Sequence, residues 1–263
     1  MAGKRAILEE PVIAIDGEDT EMAKRPWWRA LLRWILEFLL YLVIAVLIVT
    51  LVRLFLVQPF QVPSESMEHT LMKGDTIVVW KPSPPVRGQI VVFRDDLEWL
   101  PELTEPIPQW KQILSWMKIL APQDEQYLVK RLIGLPGDHV VCCDATGQVS
   151  VNDQPLEESS YVFYSSEASE PIPFDIVVPE GRIFVMGDHR DRSADSRVHM
   201  CAGLEPTPPG TAFPAIDSIQ GRTFAIVSPF KRMTTFHIPD TFSSIPDSTV
   251  TAPSIDTQQW ECD

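Results

Sequence analysis

The chain has 263 residues, of which 45% are hydrophobic, and its 22 basic and 36 acidic residues give a formal net charge of −14. This length suits one domain of ordinary size with additional segments. The acidic balance excludes a protein that binds nucleic acid regardless of sequence, because such binding needs basic surface to displace counterions from phosphates. No nucleic-acid partner is therefore expected.

The N-terminal part of the chain predicts a tail followed by a membrane anchor. Residues 1–33 are expected to be a disordered tail, since their first part is acidic and lacks apolar periodicity. Residues 34–57 are predicted to be a transmembrane anchor, because residues 38–57 contain a single charge, Arg53. About 20 helical residues cross a hydrocarbon core of roughly 30 Å. A cleaved secretory signal fits less well, since its apolar region usually has about 7–15 residues.

The distribution of basic residues predicts the orientation of this anchor. Four of them lie in the last residues before the span: Lys24, Arg25, Arg29 and Arg33. The fifteen residues after Val57 contain no Lys or Arg. By the positive-inside rule the N-terminus is cytoplasmic and the following domain is extracytoplasmic. We therefore expect a single-pass protein of the cell membrane, with the lipid bilayer as one partner.

Residues 58–235 are predicted to form a mainly β domain. Of the 24 prolines, 22 follow Val57, which disfavours a helical bundle. Short apolar runs rich in β-branched or aromatic residues alternate with turn signals, a pattern that favours strands. The clearest runs are residues 75–80, 89–94, 127–133, 139–143, 182–187 and 222–227. Residues 236–263 are polar and interrupted by prolines, and they are expected to be a disordered C-terminal tail.

Residues 97–126 stand out as an insert rich in tryptophan. Apolar residues recur at three- and four-residue spacing through residues 109–120, which predicts an amphipathic helix. Trp99, Trp110 and Trp116 occur there with Lys111 and Lys118. Amphipathic rings and basic residues favour lipid headgroups, but the same apolar face could instead cover the β core. The sequence leaves both alternatives open.

The four cysteines are Cys142, Cys143, Cys201 and Cys262. Adjacent residues of a strand point to opposite faces, so Cys142 and Cys143 are expected to be poor partners for each other. A bridge from one of them to Cys201 is the alternative, and the pairing remains open. No CxxC pair or His/Cys cluster has metal-ligand spacing, so no metal and no cofactor is predicted.

Three polar segments interrupt the strand-like sequence and are candidates for chemistry. They are residues 58–71, 127–138 and 185–197. In the second segment, strand alternation directs Lys130 to one face and Arg131 to the other, so one of them should be buried. A buried Lys130 would have a lowered pKa and could act as a general base, whereas at a sheet edge it would be solvated. A Ser-His-Asp triad is disfavoured, since no GxSxG element is present.

Four motifs follow the apolar span in order along the chain: PSESM around Ser66, GQIVVF at 88–93, KRLIGLPGD at 130–138 and GDHRDRSADSR at 187–197. Together they resemble the motifs of type I signal peptidases. This family consists of membrane-bound serine proteases that remove signal peptides from exported preproteins at Ala-X-Ala sites. The resemblance implies an antiparallel, barrel-like β-sheet domain with an inserted smaller β subdomain at 139–182, preceded by one transmembrane helix.

The resemblance also implies roles for individual residues. Ser66 would be the nucleophile, Lys130 the general base and Ser193 a hydroxyl that orients Lys130. Ser64 would donate to the oxyanion, and Asp195 with Arg197 would form a structural ion pair. The implied substrate pocket consists of Phe60, Val62, Pro63, Met67 and Val129.

The sequence departs from the family pattern at two positions near these motifs. His189 stands where the family usually has Asn, and His69 stands where it has Pro, although neither position is catalytic in the family. The segment after Arg197 is similar to that of a high-GC Gram-positive branch.

Two other classes of protein fit the sequence less well than this family. Self-cleaving repressors of the SOS response share a Ser–Lys dyad and a β fold, but the apolar span disfavours them. An inactive, membrane-tethered binding module is disfavoured because Ser66, Lys130 and Ser193 are all present.

Overall fold

The computed structural model describes residues 27–101, 108–109, 126–144, 147–166, 171–202, 205–208 and 210–257. The predicted N-terminal tail up to residue 26 lies outside these ranges. So do Trp110, Trp116 and nearly all of the helix predicted for residues 109–120.

The first element is the helix α1, Trp27–Phe55, with 29 residues. None of its residues is buried, so its apolar side chains have no protein core to pack against. By length and composition α1 could cross a membrane. The helix begins before the predicted anchor, so residues 27–33 are not part of a disordered tail. The Trp, Leu and Ala residues there continue the helical apolar surface.

The larger sheet has seven strands among the described residues: β1 (Val57–Gln61), β2 (Thr76–Trp80), β3 (Ile90–Arg94), β4 (Tyr127–Gly134), β9 (Phe184–Met186), β12 (Ile219–Ser228) and β13 (Thr234–Thr235). Their order is β1-β2-β12-β3-β4-β9, with β13 paired to β12. All neighbouring strands are antiparallel.

A smaller antiparallel sheet lies between β4 and β9 in the chain. It contains β5 (His139–Cys142), β6 (Val149–Val151), β7 (Gln154–Pro155) and β8 (Phe174–Val177), in the order β7-β6-β5-β8. A third pair, β10 (Cys201–Ala202) and β11 (Glu205–Pro206), follows later. The predicted mainly β architecture with a smaller β subdomain is confirmed, and each of the six apolar runs contains a strand.

Trp99 lies in the first part of the insert and packs into the domain. Its ring contacts the apolar cluster of β3 and β9 and stacks on His199 at a centroid distance of 4.3 Å. Its indole N–H donates to the carbonyl of Thr211 at 2.8 Å. For this tryptophan the structure therefore supports the core alternative.

The C-terminal segment from residue 236 to residue 257 is ordered, so the prediction of disorder was wrong for these residues. Phe242 and Ile245 are buried in the apolar cluster of the smaller sheet. The Cβ that Gly88 lacks would lie 2.6 Å from the Phe242 ring, so the absent side chain makes room for it. Glu180 N–H donates to Pro253 O at 2.9 Å. Isolated apolar residues between prolines have no periodicity, which explains why the sequence did not predict this packing.

The cysteine pairing also differs from the expectation. Cys142 and Cys143 form a disulfide with each other, and Cys201 is disulfide-bonded as well, so neither of the adjacent pair bridges to it. The strand β5 ends at Cys142, so strand alternation does not govern the direction of Cys143.

Candidate active site

Ser66 lies in a closed loop between β1 and β2, which we call the nucleophile loop (residues 62–75). The N–H of Val62 donates to Asp75 O, and the N–H of Gly74 donates to Val62 O, both at 2.9 Å. Met67 and Leu71 of this loop have buried side chains. Ser66 is 7% exposed. The loop therefore holds Ser66 in a fixed position at the edge of the apolar core.

Lys130 is carried by β4, which lies between β3 and β9 in the larger sheet, and it is opposite Val91 of β3. It is 2% exposed, and its ammonium nitrogen Nζ donates to Ser193 Oγ at 3.1 Å. Burial lowers the pKa of Lys130 from 10.5 to about 8, although Asp195 and Asp188 oppose this shift. The buried alternative for Lys130 is thus the one that the structure adopts.

Arg131 is buried too, although strand alternation predicted that only one of the two basic residues would be. Its guanidinium binds Asp188 through Nε–Oδ1 at 2.7 Å and Nη2–Oδ2 at 2.5 Å, and it also donates to Gly88 O. The Tyr161 ring lies 4.3 Å from the guanidinium carbon. Both faces of β4 are therefore covered by other parts of the domain. The Arg131 guanidinium, which cannot lose its proton, is neutralised by the Asp188 carboxylate.

Ser193 belongs to a loop that a buried ion pair fixes. Arg197 donates to Asp195 through Nε at 2.9 Å and Nη2 at 2.8 Å, while Gly187 N–H donates to Asp195 Oδ2 at 2.8 Å. Burial alone would raise the pKa of Asp195, but the charge and hydrogen bonds of Arg197 outweigh it and lower the pKa to about 2. The carboxylate stays ionised, and the structure contains the ion pair that the resemblance implied.

Gly187 brings the two serine segments together. A Cβ on Gly187 would lie 2.2 Å from Ser193 Oγ and 2.4 Å from the carbonyl oxygen of Ser66. The N–H of His189 also donates to Ser66 O at 3.1 Å. Only glycine leaves room for this approach. Gly187 belongs to the motif at 187–197, but this role of the glycine was not predicted, although a glycine directly after an apolar strand is a signal of close packing.

The hydroxyl of Ser66 is hydrogen-bonded to that of the exposed Ser64, at an Oγ–Oγ distance of 3.3 Å. Among the hydrogen bonds of the described residues, none joins Ser66 Oγ directly to Lys130 Nζ. Catalytic hydrogen bonds are often long in an enzyme without substrate and tighten when substrate binds. The arrangement therefore consists of two hydrogen-bonded pairs, Ser64–Ser66 and Lys130–Ser193. Gly187 lies between them, against Ser66 O and Ser193 Oγ.

Four of the five residues expected to form the substrate pocket share one apolar cluster: Phe60, Val62, Met67 and Val129. Pro63 is exposed and is not part of this cluster. Met67 follows Ser66 directly, and Val129 precedes Lys130. The cluster therefore adjoins both residues with proposed catalytic roles.

Among the described residues, neither His69 nor His189 is placed to act as a base for Ser66. His189 is buried, and its Nδ1 lies 3.1 Å from Glu65 O and 3.2 Å from a Glu68 carboxylate oxygen. His69 is exposed and stacks on Phe163. No hydrogen bond joins either ring to Ser66 Oγ in the part of the chain that the structure describes. Within the same residues, no group of three or more His, Cys, Asp or Glu side chains could hold a metal ion.

Comparison with known proteins places this site in a family. The model of the family described as signal peptidase, peptidase S26, matches residues 35–228. Signal peptidase I of Mycobacterium tuberculosis is 34% identical over 242 residues, with 81% of this chain and 80% of the relative covered. Probable signal peptidase I-1 of Synechocystis is 34% identical over 177 residues, covering 66% and 76%. A crystal structure of signal peptidase I from Enterococcus faecalis V583 is 24% identical with a TM-score of 0.30, covering 53% of this chain and 97% of that chain.

The family match spans most of the chain, and it defines the class of protein as a serine protease. The chain belongs to the signal peptidase family, peptidase S26. It is an enzyme of the signal peptidase I type, and the resemblance found in its motifs is confirmed. Mycobacterial relatives agree with the resemblance to a high-GC Gram-positive branch.

Proposed function

We propose that the chain is a membrane-bound endopeptidase that removes signal peptides from exported preproteins, with Ser66 as nucleophile and neutral Lys130 as general base. The observation that supports this most strongly is the buried amine of Lys130, which Ser193 holds at 3.1 Å and whose pKa is lowered to about 8. A substantial neutral fraction is then present near neutral pH, and a neutral amine can accept a proton.

The reaction follows from these positions. Lys130 accepts the Ser66 hydroxyl proton as Ser66 Oγ attacks the scissile carbonyl carbon. When the tetrahedral intermediate collapses, the C–N bond breaks and the Lys130 ammonium returns the proton to the leaving amine. Water then attacks the acyl carbon and gives a proton to Lys130. As this second tetrahedral intermediate collapses, the bond from the acyl carbon to Ser66 Oγ breaks, and the Lys130 ammonium returns the proton to Ser66 Oγ. Ser193 keeps the amine in position throughout.

Ser64 and the N–H of Ser66 are proposed to stabilise the oxyanion. Ser64 Oγ is exposed and lies beside the attacking oxygen of Ser66, so it can turn toward the developing negative charge. The loss of one such donor typically lowers the rate by about 10²–10³-fold. The apolar cluster of Phe60, Val62, Met67 and Val129 would receive the small side chains that precede the scissile bond.

The proposed location of the catalytic domain is the extracytoplasmic surface of the cell membrane. The helix α1 is the anchor, and the N-terminus lies in the cytoplasm. The basic residues before α1 support this orientation. Ser66 follows the end of α1 by eleven residues, so even an extended chain keeps it within about 35 Å of that end. A translocated precursor presents its cleavage site just outside its own hydrophobic segment, within the same zone.

The cleavage reaction tests this proposal directly. The full-length chain in detergent is incubated with a precursor that contains one Ala-X-Ala site, and the products are mapped by mass spectrometry. We expect a single cut after the second Ala, and no cut when that Ala is replaced by Trp. Matched reactions with Ser66→Ala protein identify any contaminating protease. Cleavage that ignores the replaced Ala would contradict the proposed specificity.

The pH dependence of cleavage should report the ionisation of Lys130. Only the neutral amine accepts a proton, and burial lowers its pKa to about 8, so activity should rise with pH and be half-maximal near pH 8. Below about pH 7 each pH unit should cost about tenfold in kcat/KM. Initial rates in buffers of constant ionic strength measure this profile. Activity that stays constant into the acidic range would exclude an amine as the base.

A further inference from the structure

The peptide bonds on both sides of Ser66 are contacted by His189. The ring nitrogen Nδ1 of His189 lies 3.1 Å from Glu65 O, in the peptide that precedes Ser66. The main-chain N–H of His189 donates to Ser66 O, also at 3.1 Å, in the peptide that follows. Glu65 O accepts a further bond from Glu68 N–H at 2.9 Å, so both of its lone pairs are engaged. The backbone around the nucleophile is therefore oriented in part by a residue remote in the chain.

The surroundings of the His189 ring require its Nδ1 to carry a proton. A carbonyl oxygen can only accept hydrogen bonds, so the contact with Glu65 O makes Nδ1 the donor. A carboxylate oxygen of Glu68 lies 3.2 Å from the same nitrogen, and one of Asp191 lies 3.2 Å from Nε2. Each of these groups is an acceptor when ionised. The ring is therefore a donor toward the nucleophile loop, not an acceptor.

The position of the His189 ring is fixed by its neighbours. The residue is 1% exposed, and its ring packs on Phe163 at a centroid distance of 4.9 Å. The backbone on both sides is tied to the same residue, since Phe163 N–H donates to Asp188 O at 2.8 Å and Arg190 N–H donates to Phe163 O at 2.9 Å. A buried donor whose surroundings lock its conformation can hold another group in a defined geometry.

The contact with Glu65 O affects the N–H of Ser66, because both groups belong to one peptide unit. This peptide bond is trans. In a planar trans peptide the C=O and the N–H point in opposite directions, so a fixed Glu65 O also fixes the direction of the Ser66 N–H. No hydrogen bond between the residues that the structure describes uses this N–H as donor, so it is available to a substrate oxygen. Bonds to Glu65 O also polarise the peptide and strengthen the N–H as a donor.

We propose that His189 is a positioning residue for the oxyanion site. Its ring donates to Glu65 O and its main chain donates to Ser66 O, and together these bonds aim the Ser66 N–H at the carbonyl oxygen of the scissile bond. His189 thus acts through the backbone of the nucleophile loop and transfers no proton. The inference rests on the proposed function, in which the Ser66 N–H stabilises the oxyanion.

Three substitutions of His189 in the full-length chain test this role, with kcat expressed per folded molecule from thermal unfolding of the same samples. His189→Ala should lower kcat for precursor cleavage about tenfold with little change in KM, because one hydrogen bond that orients the oxyanion donor is lost. His189→Asn keeps an amide nitrogen near the position of Nδ1 and should lose much less, whereas His189→Gln places its amide nitrogen nearer to Nε2 and should resemble His189→Ala. The control His139→Ala removes a ring that lies 2.7 Å from the Asp175 carboxylate in the smaller sheet, and it should keep full kcat.

A second measurement separates oxyanion positioning from a general loss of packing. When Ser66 Oγ adds to the carbon of a peptide aldehyde that ends in Ala, a C–O bond forms, Lys130 takes the hydroxyl proton and the aldehyde oxygen becomes the oxyanion. The matched peptide alcohol binds without reacting. His189→Ala should weaken inhibition by the aldehyde by the same factor as kcat/KM and leave inhibition by the alcohol unchanged.

Two results would overturn the positioning role of His189. One is normal kcat in His189→Ala, or a loss in His189→Asn as large as that in His189→Ala. The other is equal weakening of the aldehyde and the alcohol by His189→Ala. Absence of cleavage by the unaltered chain would contradict the proposed function instead.

Discussion

Ser66→Ala and Lys130→Ala should each reduce kcat for precursor cleavage by about 10⁴-fold or more, because residues that act as a unit lose nearly all catalysis when either is removed. Ser66→Ala removes the attacking oxygen. Lys130→Ala removes the amine that lies 3.1 Å from Ser193 Oγ. Quantified cleavage of a purified precursor over long incubations measures both losses.

Three further variants separate this mechanism from its alternatives. Lys130→Arg keeps the positive charge but cannot lose its proton, so it should be as inactive as Lys130→Ala. His69→Ala alters an exposed ring that stacks on Phe163, and it should retain most of the activity. Ser83→Ala changes a half-buried serine outside the site and should behave like the unaltered chain. Activity in Lys130→Arg would show that a fixed cation, rather than a base, is required.

Gly187→Ala should abolish cleavage and also destabilise the domain. Its new Cβ would lie 2.2 Å from Ser193 Oγ and 2.4 Å from Ser66 O, closer than real Cβ atoms approach, so one of the two serine segments must move. Because a displacement of about 1 Å can cost about 10²-fold in rate, movement of either segment should leave little activity. Precursor cleavage and thermal unfolding of the same sample measure the two effects.

Gly134→Ala is the matched control for this variant. The Cβ at Gly134 would also meet neighbours, at 2.8 Å from Val178 and 2.9 Å from Val140, but these are methyl groups of the core away from Ser66. We expect lowered stability with normal activity per folded molecule. If Gly187→Ala kept normal activity per folded molecule, the close approach of Ser66 and Ser193 at Gly187 would have no role in catalysis.

The sequence predicted the features that depend on local pattern. The runs at residues 75–80 and 89–94 contain β-branched residues between turn signals, and each contains a strand at nearly those bounds. The polar residues that interrupt strands, Ser66 and Lys130 among them, indicated where chemistry was to be sought. Strand alternation could not decide whether Lys130 was buried, because that depends on which neighbours cover each face.

Features that depend on distant contacts were missed. Arg131 is buried because Asp188, far along the chain, neutralises it. The segment around Phe242 is ordered because Gly88 leaves space for the ring. The importance of Gly187 likewise follows from two segments that meet only in the folded domain. Such complementarity between remote positions leaves no periodic signal in one sequence.

The position of the smaller sheet has a consequence for how this enzyme can diversify. The chain leaves the larger sheet at Gly134 and returns at Phe184, and these two residues are direct partners in the β4–β9 ladder. The 49 residues between them thus begin and end at paired positions of the sheet. The entropic cost of closing this segment, and so of pairing β4 with β9, depends only weakly on its length. A change in the length of this excursion, outside the residues that contact Arg131 and the 187–197 segment, is therefore expected to leave the Arg131–Met186 register intact. New surfaces for handling precursors can arise there while the proton-transfer chemistry remains the same.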